Sequence, residues 1–162
     1  MSLRLIFPFI SFALLLNCGE ISKSNKKIEN NEKITSYLDL DGNEVKISDY
    51  KGKRVLVNYW ATWCTPCLKE MPSMEKAQEA LNNENYVFLF ATTDDLDKIK
   101  NFKKNNSYNF NFLQFRGTLD KLNIYALPAT FIYNSKGEMA KRIDGATEWD
   151  SKEMLDQLRD IP

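Results

Sequence analysis

Histidine is absent from all 162 residues of this sequence. Its absence excludes the commonest general base, the commonest transition-metal ligand, and any Ser-His or Cys-His catalytic pair. Excess charge is also absent, because 22 Lys and Arg residues balance 22 Asp and Glu residues. Nothing in that balance favours nucleic acid as a partner. Chemistry in this chain must therefore come from cysteine, carboxylates, lysine or tyrosine.

The N-terminus predicts an export signal and a lipid anchor. Residues 1–17 combine Arg4 with an apolar run over residues 5–16, which is shorter than the ~20 residues that a membrane-crossing helix needs. Residues 15–18 read Leu-Leu-Asn-Cys and resemble a bacterial lipoprotein signal, in which the cysteine becomes the lipidated first residue. We predict a lipoprotein-type signal peptide over 1–17 and lipidation at Cys18. An ordinary signal peptide or a retained anchor is the alternative.

The composition then changes twice along the chain. Residues 18–33 are mostly Asn, Lys, Ser and Glu, which bury too little apolar surface to fold, so we predict a flexible tether. Residues 34–162 are long enough for one domain with its own core. This organisation predicts an extracytoplasmic protein anchored to the membrane, on the periplasmic face or the cell surface.

Strand patterns alternate with helix patterns along residues 34–162. They predict a hairpin over 37–47, a buried strand over 54–60, a helix over 68–81, a strand over 86–91, a helix over 94–104, a strand over 110–115, a brief helix over 119–125, a hairpin over 129–143, and a helix over 149–158 that Thr147 can cap. This order predicts an α/β fold whose sheet is covered on both faces.

The motif that carries chemistry is Trp63-Cys64-Thr65-Pro66-Cys67, between the buried strand and the helix. A thiol at a helix N-terminus faces unpaired N–H groups and the positive end of the helix dipole, which stabilise the thiolate. Cys64 is therefore the predicted attacking thiol. Cys67, one turn further into the helix, is placed to resolve a mixed disulfide on Cys64.

Two alternatives for the cysteine pair are a structural disulfide and half of a zinc site. A disulfide that closes a loop of two residues restricts the unfolded chain very little. A closed zinc site needs four ligands, and only carboxylates remain to complete one. We therefore expect no metal and no bound cofactor beyond a redox-active Cys64–Cys67 disulfide.

Residues 55–67, VLVNYWATWCTPC, resemble the active-site stretch of the thioredoxin superfamily, most closely its TlpA-like and ResA-like extracytoplasmic thiol-disulfide oxidoreductases. The likeness runs from about Ser36 to the C-terminus, through Asp41-Gly42, Lys51-Gly52-Lys53, Lys69-Glu70-Met71-Pro72, Leu127-Pro128-Ala129-Thr130-Phe131 and Asp144-Gly145. It implies a thioredoxin-like central mixed sheet flanked by helices, with an N-terminal β-hairpin and a family-type insertion in the region of residues 109–115.

The resemblance also implies roles for individual residues. Pro128 matches the family's cis-proline, which lies opposite the cysteines and leaves the backbone at Leu127 free to pair with an extended substrate. Glu70 matches a glutamate that couples to the ionisation of the pair and can accept the proton of Cys67. The alternative for Glu70 is a solvated position on the helix surface. Asn58 stands where cytoplasmic-type thioredoxins keep a buried Asp.

The other residues of the motif are assigned to substrate contact and packing. We expect Trp63, Thr65 and Pro66 to line the substrate site, and Trp60 and Trp63 to limit solvent access to Cys67. The aromatic segment over 109–115 is expected to be core rather than a cofactor site.

The resemblance implies reduction of extracytoplasmic protein disulfides, in some relatives for cytochrome c maturation, with electrons supplied by a membrane thiol-transfer protein. A dithiol oxidant of the same fold, and a non-catalytic binding lipoprotein with a retained disulfide, remain alternatives. A peroxiredoxin is disfavoured because its P-x-x-x-T-x-x-C pattern fits neither Cys64 nor Cys67. A copper-delivery protein typically adds a histidine, which this chain lacks.

Overall fold

A mixed sheet of seven strands organises the computed structural model, which describes residues 36–162. The strands are β1 (Tyr37–Leu38), β2 (Glu44–Val45), β3 (Arg54–Tyr59), β4 (Tyr86–Thr92), β5 (Asn111–Phe115), β6 (Ala129–Tyr133) and β7 (Met139–Asp144). The predicted signal peptide, the lipidation at Cys18 and the tether lie outside the described residues.

The strands are ordered β2-β1-β5-β4-β3-β6-β7 across the sheet. The β3–β4 and β4–β5 pairs are parallel, and the other pairs are antiparallel. Three α helices complete the fold, namely α1 (Thr65–Ala80), α2 (Leu96–Asn105) and α3 (Lys152–Arg159). Two 3-10 helices span Ile47–Tyr50 and Leu119–Leu122. The predicted α/β class and N-terminal hairpin are confirmed.

Strand β3 lies between β4 and β6, and its side chains alternate between two buried clusters because successive residues of a strand face opposite sides. One cluster, here called the helix-side core, includes Leu56, Trp60, both cysteines and residues of all three α helices. The other, the tyrosine-side core, includes Val55, Val57, Tyr59, Tyr37 and Phe131, with side chains of both 3-10 helices packed against it. A near-continuous apolar strand is the expected result of burial on both faces.

The aromatic segment predicted to be core is buried as expected. Phe110, Phe112 and Phe115 are each at most 3% exposed. Phe110 stacks on Phe90 with ring centroids 3.8 Å apart. The aromatic residues of this segment are therefore part of the core.

The prediction for the last helix was wrong at its start. Helix α3 begins at Lys152, and the hydroxyl of Ser151, not Thr147, accepts a capping hydrogen bond from the N–H of Met154 at 3.3 Å. Trp149 precedes the helix and is fully buried. Trp149 matched the apolar spacing of a helix because it is buried, not because it is helical. Its backbone N–H donates to the hydroxyl of Ser73 in helix α1.

Among the helices described between residues 36 and 162, none has the length and apolar content needed to span a membrane.

Candidate active site

The two cysteines form a disulfide at the start of helix α1, with Cα atoms 5.3 Å apart. Cys64 is the N-cap residue, and the N–H of Cys67 donates to Cys64 Sγ at 3.3 Å. An N–H group of the first helical turn thus points at the sulfur, as the motif predicted for a stabilised thiolate. Cys64 is 4% exposed and Cys67 is 1% exposed, so both residues are buried and Cys64 is slightly the more exposed of the two.

Three neighbours of the cysteines face solvent. Trp63 is 74% exposed, and Thr65 and Pro66 are also exposed. Trp60 instead lies in the helix-side core with the cysteines, its ring centroid 4.7 Å from that of Phe102. Trp60 is therefore part of the buried core that also holds the pair, while Trp63 is exposed at the surface.

The Leu127–Pro128 peptide bond is cis, as the resemblance implied. It immediately precedes β6, whose first residue, Ala129, pairs with Tyr59 at the end of β3. Leu127 is half-buried and packs against the cluster that holds both cysteines. Within the described residues, no hydrogen-bond partner takes the N–H or C=O of Leu127, whereas the carbonyl of Pro128 accepts the N–H of Gly145 at 2.9 Å.

Glu70 lies one turn after Cys67 on the same buried face of helix α1, at a spacing that places Cβ atoms about 5–6 Å apart. It is 4% exposed, so the expected burial is found and the solvated alternative is not. Its Oε2 accepts the indole N–H of Trp149 at 3.0 Å and the backbone N–H of Thr147 at 3.0 Å. Its Oε1 accepts Nδ2 of Asn58 at 2.9 Å.

Two opposing effects act on this carboxyl group. Burial raises the pKa of Glu70 above its ordinary value of 4.5, because desolvation disfavours the charged form. The N–H donors of Trp149, Thr147 and Asn58 oppose that rise, because they stabilise the anion. Burial is the larger effect, so Glu70 holds a proton more readily than an exposed glutamate does.

Asn58 links Glu70 to the central sheet. Besides its bond to Glu70, its Nδ2 donates to Oγ1 of Thr130 at 3.0 Å. Asn58 and Thr130 are register partners on β3 and β6, and both are buried. Cytoplasmic-type thioredoxins keep a buried Asp at the position of Asn58. Here the Asn58 amide occupies that position and contacts Glu70, the only carboxylate in this polar group.

A second buried carboxylate was missed in the sequence. Asp94 is 9% exposed, and its Oδ2 accepts the backbone N–H of Thr62 at 2.8 Å and Oγ1 of Thr92 at 3.2 Å. It thereby anchors the loop two residues before Cys64. The pattern Thr92-Thr93-Asp94-Asp95 at the end of β4 resembles an ordinary helix cap, and nothing in it signals a contact 32 residues away.

Thr147 and Trp149 were also missed as site residues. Their sequence signal is weak, because Trp149 fits a helical apolar pattern and Thr147 contributes only its backbone N–H. Across residues 36–162 no group of three or more Cys, Asp or Glu side chains is placed to hold a metal ion. The site brings the Cys64–Cys67 disulfide and the buried Glu70 together at the start of helix α1.

Comparison with known proteins agrees with this geometry. The model of the AhpC/TSA family matches residues 26–142, well over half of the chain. The chain belongs to the AhpC/TSA family. Relatives include thiol-disulfide oxidoreductase ResA of Bacillus thuringiensis subsp. konkukian, 28% identical over 95% of this chain and 94% of the relative, and ResA of Geobacillus kaustophilus, 30% identical over 75% and 72%. The predicted resemblance to ResA-like proteins and the thiol-disulfide oxidoreductase activity are confirmed at this level.

Solved structures similar to this AhpC/TSA family member confirm the fold. A putative thiol-disulfide oxidoreductase from Bacteroides vulgatus aligns with a TM-score of 0.68 at 21% identity, over 78% of this chain and 91% of that one. The exposed lipoprotein thioredoxin of Streptococcus pneumoniae aligns with a TM-score of 0.61 at 25% identity, over 76% and 98%. The thioredoxin-like architecture that the resemblance implied is therefore confirmed.

Proposed function

We propose that this chain is a membrane-anchored reductase of extracytoplasmic protein disulfides that works through the Cys64 and Cys67 dithiol. The observation that carries the proposal is the placement of Cys64 at the N-cap of α1, with the N–H of Cys67 directed at its sulfur. This donor stabilises a thiolate on Cys64, and the deeper Cys67 is kept for the second step.

The proposed reaction passes two electrons from the dithiol to the substrate. The Cys64 thiolate attacks one sulfur of the substrate disulfide, which forms a mixed disulfide and releases the other sulfur as a thiolate. Cys67 then loses its proton to Glu70 and attacks the Cys64 sulfur. The Cys64–Cys67 bond forms and the second substrate sulfur leaves. Both released sulfurs take protons from solvent, and Glu70 returns its proton to solvent.

Substrate recognition is assigned to the surface around Cys64. The unpaired N–H and C=O of Leu127 are available to an extended segment, which main-chain hydrogen bonds can hold as an added strand. Pro128 matches the family's cis-proline, which lies opposite the cysteines and presents this backbone to substrate, and the exposed Trp63, Thr65 and Pro66 supply the remaining contact surface. Such contacts favour unfolded or flexible disulfide-bearing segments.

The N-terminal residues and the relatives support a proposal for location and partners. We propose lipidation at Cys18 after removal of residues 1–17, and a tether over 18–33 that keeps the domain near an extracytoplasmic membrane surface. The similar thioredoxin of Streptococcus pneumoniae is an exposed lipoprotein, which supports this anchoring. We further propose a membrane thiol-transfer protein as electron donor, no cofactor other than the cysteine pair, and cytochrome c maturation as the pathway that the ResA-like resemblance favours.

Insulin reduction with dithiothreitol tests the activity. We expect the wild-type protein to accelerate insulin precipitation and Cys64→Ala to abolish the acceleration. Equal activity in Cys64→Ala would contradict the mechanism, and inactivity of both proteins would favour the non-catalytic binding lipoprotein.

The reduction potential tests the direction of electron flow. Equilibration with glutathione or dithiothreitol, followed by gel-shift thiol counting, should give a value near or below roughly −270 mV for a reductase. A value near about −120 mV would identify a dithiol oxidant instead.

A further inference from the structure

The two oxygens of Glu70 have unequal surroundings. Oε2 accepts two N–H groups, from Trp149 and Thr147, and Oε1 accepts one, from Asn58. All three partners donate, so the site is arranged for the ionised carboxylate. Trp149 is the only one of the three that reaches Glu70 from a side chain outside the central sheet, and its indole is fully buried.

We propose that Trp149 is a positioning residue for disulfide reduction: its indole N–H holds the ionised Glu70 carboxylate and directs the proton of Cys67 to Oε1. This inference rests on the function proposed above and assigns a role to a residue outside the cysteine motif. The indole of Trp149 donates its hydrogen bond to Glu70 and not to either cysteine, so Trp149 acts through Glu70.

The choice of oxygen follows from hydrogen-bonding capacity. Each carboxylate oxygen offers about two lone-pair sites. Both sites of Oε2 are taken by Thr147 and Trp149, whereas Oε1 keeps one site beside Asn58. A proton can bind Oε1 without displacing a donor, while protonation of Oε2 would leave a buried N–H without a partner, at a cost.

The charged side chains described around Glu70 do not pair with its carboxylate, so the N–H donors stabilise the anion. Glu70 lines a surface groove of about 390 Å³, whose other charged lining residues are Lys69 and Lys76 from α1 and Glu148 and Asp150 from the segment between β7 and α3. Lys76 pairs with Asp150 at 2.9 Å, and no salt bridge within residues 36–162 involves Glu70.

The sheet side of the site adds no charge. Strands β3 and β6 present the uncharged Asn58 and Thr130 to this position. Removal of one N–H donor should therefore be felt directly by the carboxylate, because no cation replaces it.

The test is Trp149→Phe, which removes the N–H and keeps an aromatic ring. We expect the acid limb of the pH–rate profile for disulfide reduction to move to higher pH by about one unit. The ¹³C signal of the Glu70 carboxyl, titrated by NMR in the oxidised protein, should move in the same direction. Ser73→Ala is the matched control, because the Ser73 hydroxyl contacts only backbone atoms of the described residues, the N–H of Trp149 and the carbonyl of Glu70, and not the carboxylate. It should move neither curve.

A double-mutant cycle with Glu70→Gln separates positioning from packing. Trp149→Phe should leave the pH profile unchanged when residue 70 is Gln, because the group through which it acts is gone. An equal shift in both backgrounds, or no shift in the wild-type background, would overturn the proposal. Where Trp149→Phe fails to fold, benzothienylalanine at position 149 replaces the N–H by sulfur within a ring of nearly the same shape.

These readouts separate this inference from the proposed function. A wild-type protein that reduces insulin, together with an unmoved Glu70 titration in Trp149→Phe, rejects the role of Trp149 and leaves the reductase intact. A wild-type protein that reduces no disulfide rejects the function itself, whatever the NMR titration shows.

Discussion

Asn58 and Tyr59 are neighbours on strand β3, yet they enter two very different buried polar groups. On the helix-side core, Asn58 joins Glu70, which also accepts N–H groups from Thr147 and Trp149. On the tyrosine-side core, the hydroxyl of Tyr59 lies 2.6 Å from that of Tyr37, and both residues are 0% exposed.

The difference between these groups is whether the proton can leave. The tyrosine hydroxyls satisfy each other, and burial raises the pKa of both Tyr37 and Tyr59 well above the ordinary value of 10.0, so the pair stays protonated. Glu70 borders a surface groove, and its pKa is raised from a value that starts near 4.5. Strand β3 thus contributes Tyr59 to a structural hydrogen bond on one face and Asn58 to the surroundings of the titrating Glu70 on the other.

The largest expected effect that sharpens this comparison is on catalysis. Glu70→Gln removes the proton acceptor and keeps the side-chain shape, so the rate of insulin reduction at neutral pH should fall by about 100-fold, within the usual range for general base catalysis. Steady-state kinetics measure this loss. A decrease of less than about twofold would remove Glu70 from the mechanism and make the two faces equivalent.

The tyrosine face should respond in stability instead. Tyr59→Phe leaves the Tyr37 hydroxyl buried without its partner, and we expect a loss of about 1–3 kcal/mol in the free energy of unfolding. The double variant Tyr37→Phe/Tyr59→Phe should recover part of this loss, because no polar group is then stranded. Urea unfolding measures both changes. Activity per folded molecule should stay within about twofold of wild type, and a large kinetic defect would break the comparison.

The pH dependence of stability should be a smaller effect, and it belongs to the Glu70 face alone. Because the folded pKa of Glu70 is raised, the folded state binds more protons than the unfolded state between the ordinary value of 4.5 and the folded value. Stability of the wild-type protein should therefore fall, relative to Glu70→Gln, as the pH rises through that window. Urea unfolding of both oxidised proteins at several pH values tests this sign, and an opposite trend would contradict the assigned burial effect.

The smallest expected effect distinguishes the helix cap from the site beside it. Ser151→Ala removes the cap of α3 and should cost about 1 kcal/mol in the free energy of unfolding. Thr147→Ala keeps the backbone N–H that Glu70 accepts, so its change should stay within about 0.5 kcal/mol. Urea unfolding measures the free energy of unfolding of both variants. A larger loss in Thr147→Ala than in Ser151→Ala would support Thr147 as the cap, as the sequence predicted.

The parts that sequence predicted well are those that depend on near neighbours in the chain. Cys64, Cys67 and Glu70 share one helix start, so their relative placement follows from helical spacing. The positions of β3 and β6 follow from short, nearly continuous apolar runs, the pattern expected of strands buried on both faces. The cis bond at Pro128 came from the resemblance and not from the local residues.

The parts that sequence did not predict depend on distant partners. Trp149 lies 79 residues from Glu70, and Asp94 lies 32 residues from Thr62. Apolar spacing placed Trp149 inside a helix, because periodicity records which residues are buried but not what they touch. The identity of a buried polar contact becomes visible only when the strands and helices are assembled.

The segment that follows β7 connects two properties of the enzyme. The N–H of Gly145, whose φ of +89° suits glycine, donates to the carbonyl of Pro128 beside the proposed substrate position, and four residues later the indole of Trp149 donates to Glu70. Substrate choice and working pH are therefore expected to be inherited together. A graft of residues 145–149 from a related oxidoreductase should transplant both traits as one unit, and evolution of either trait through this segment would alter the other.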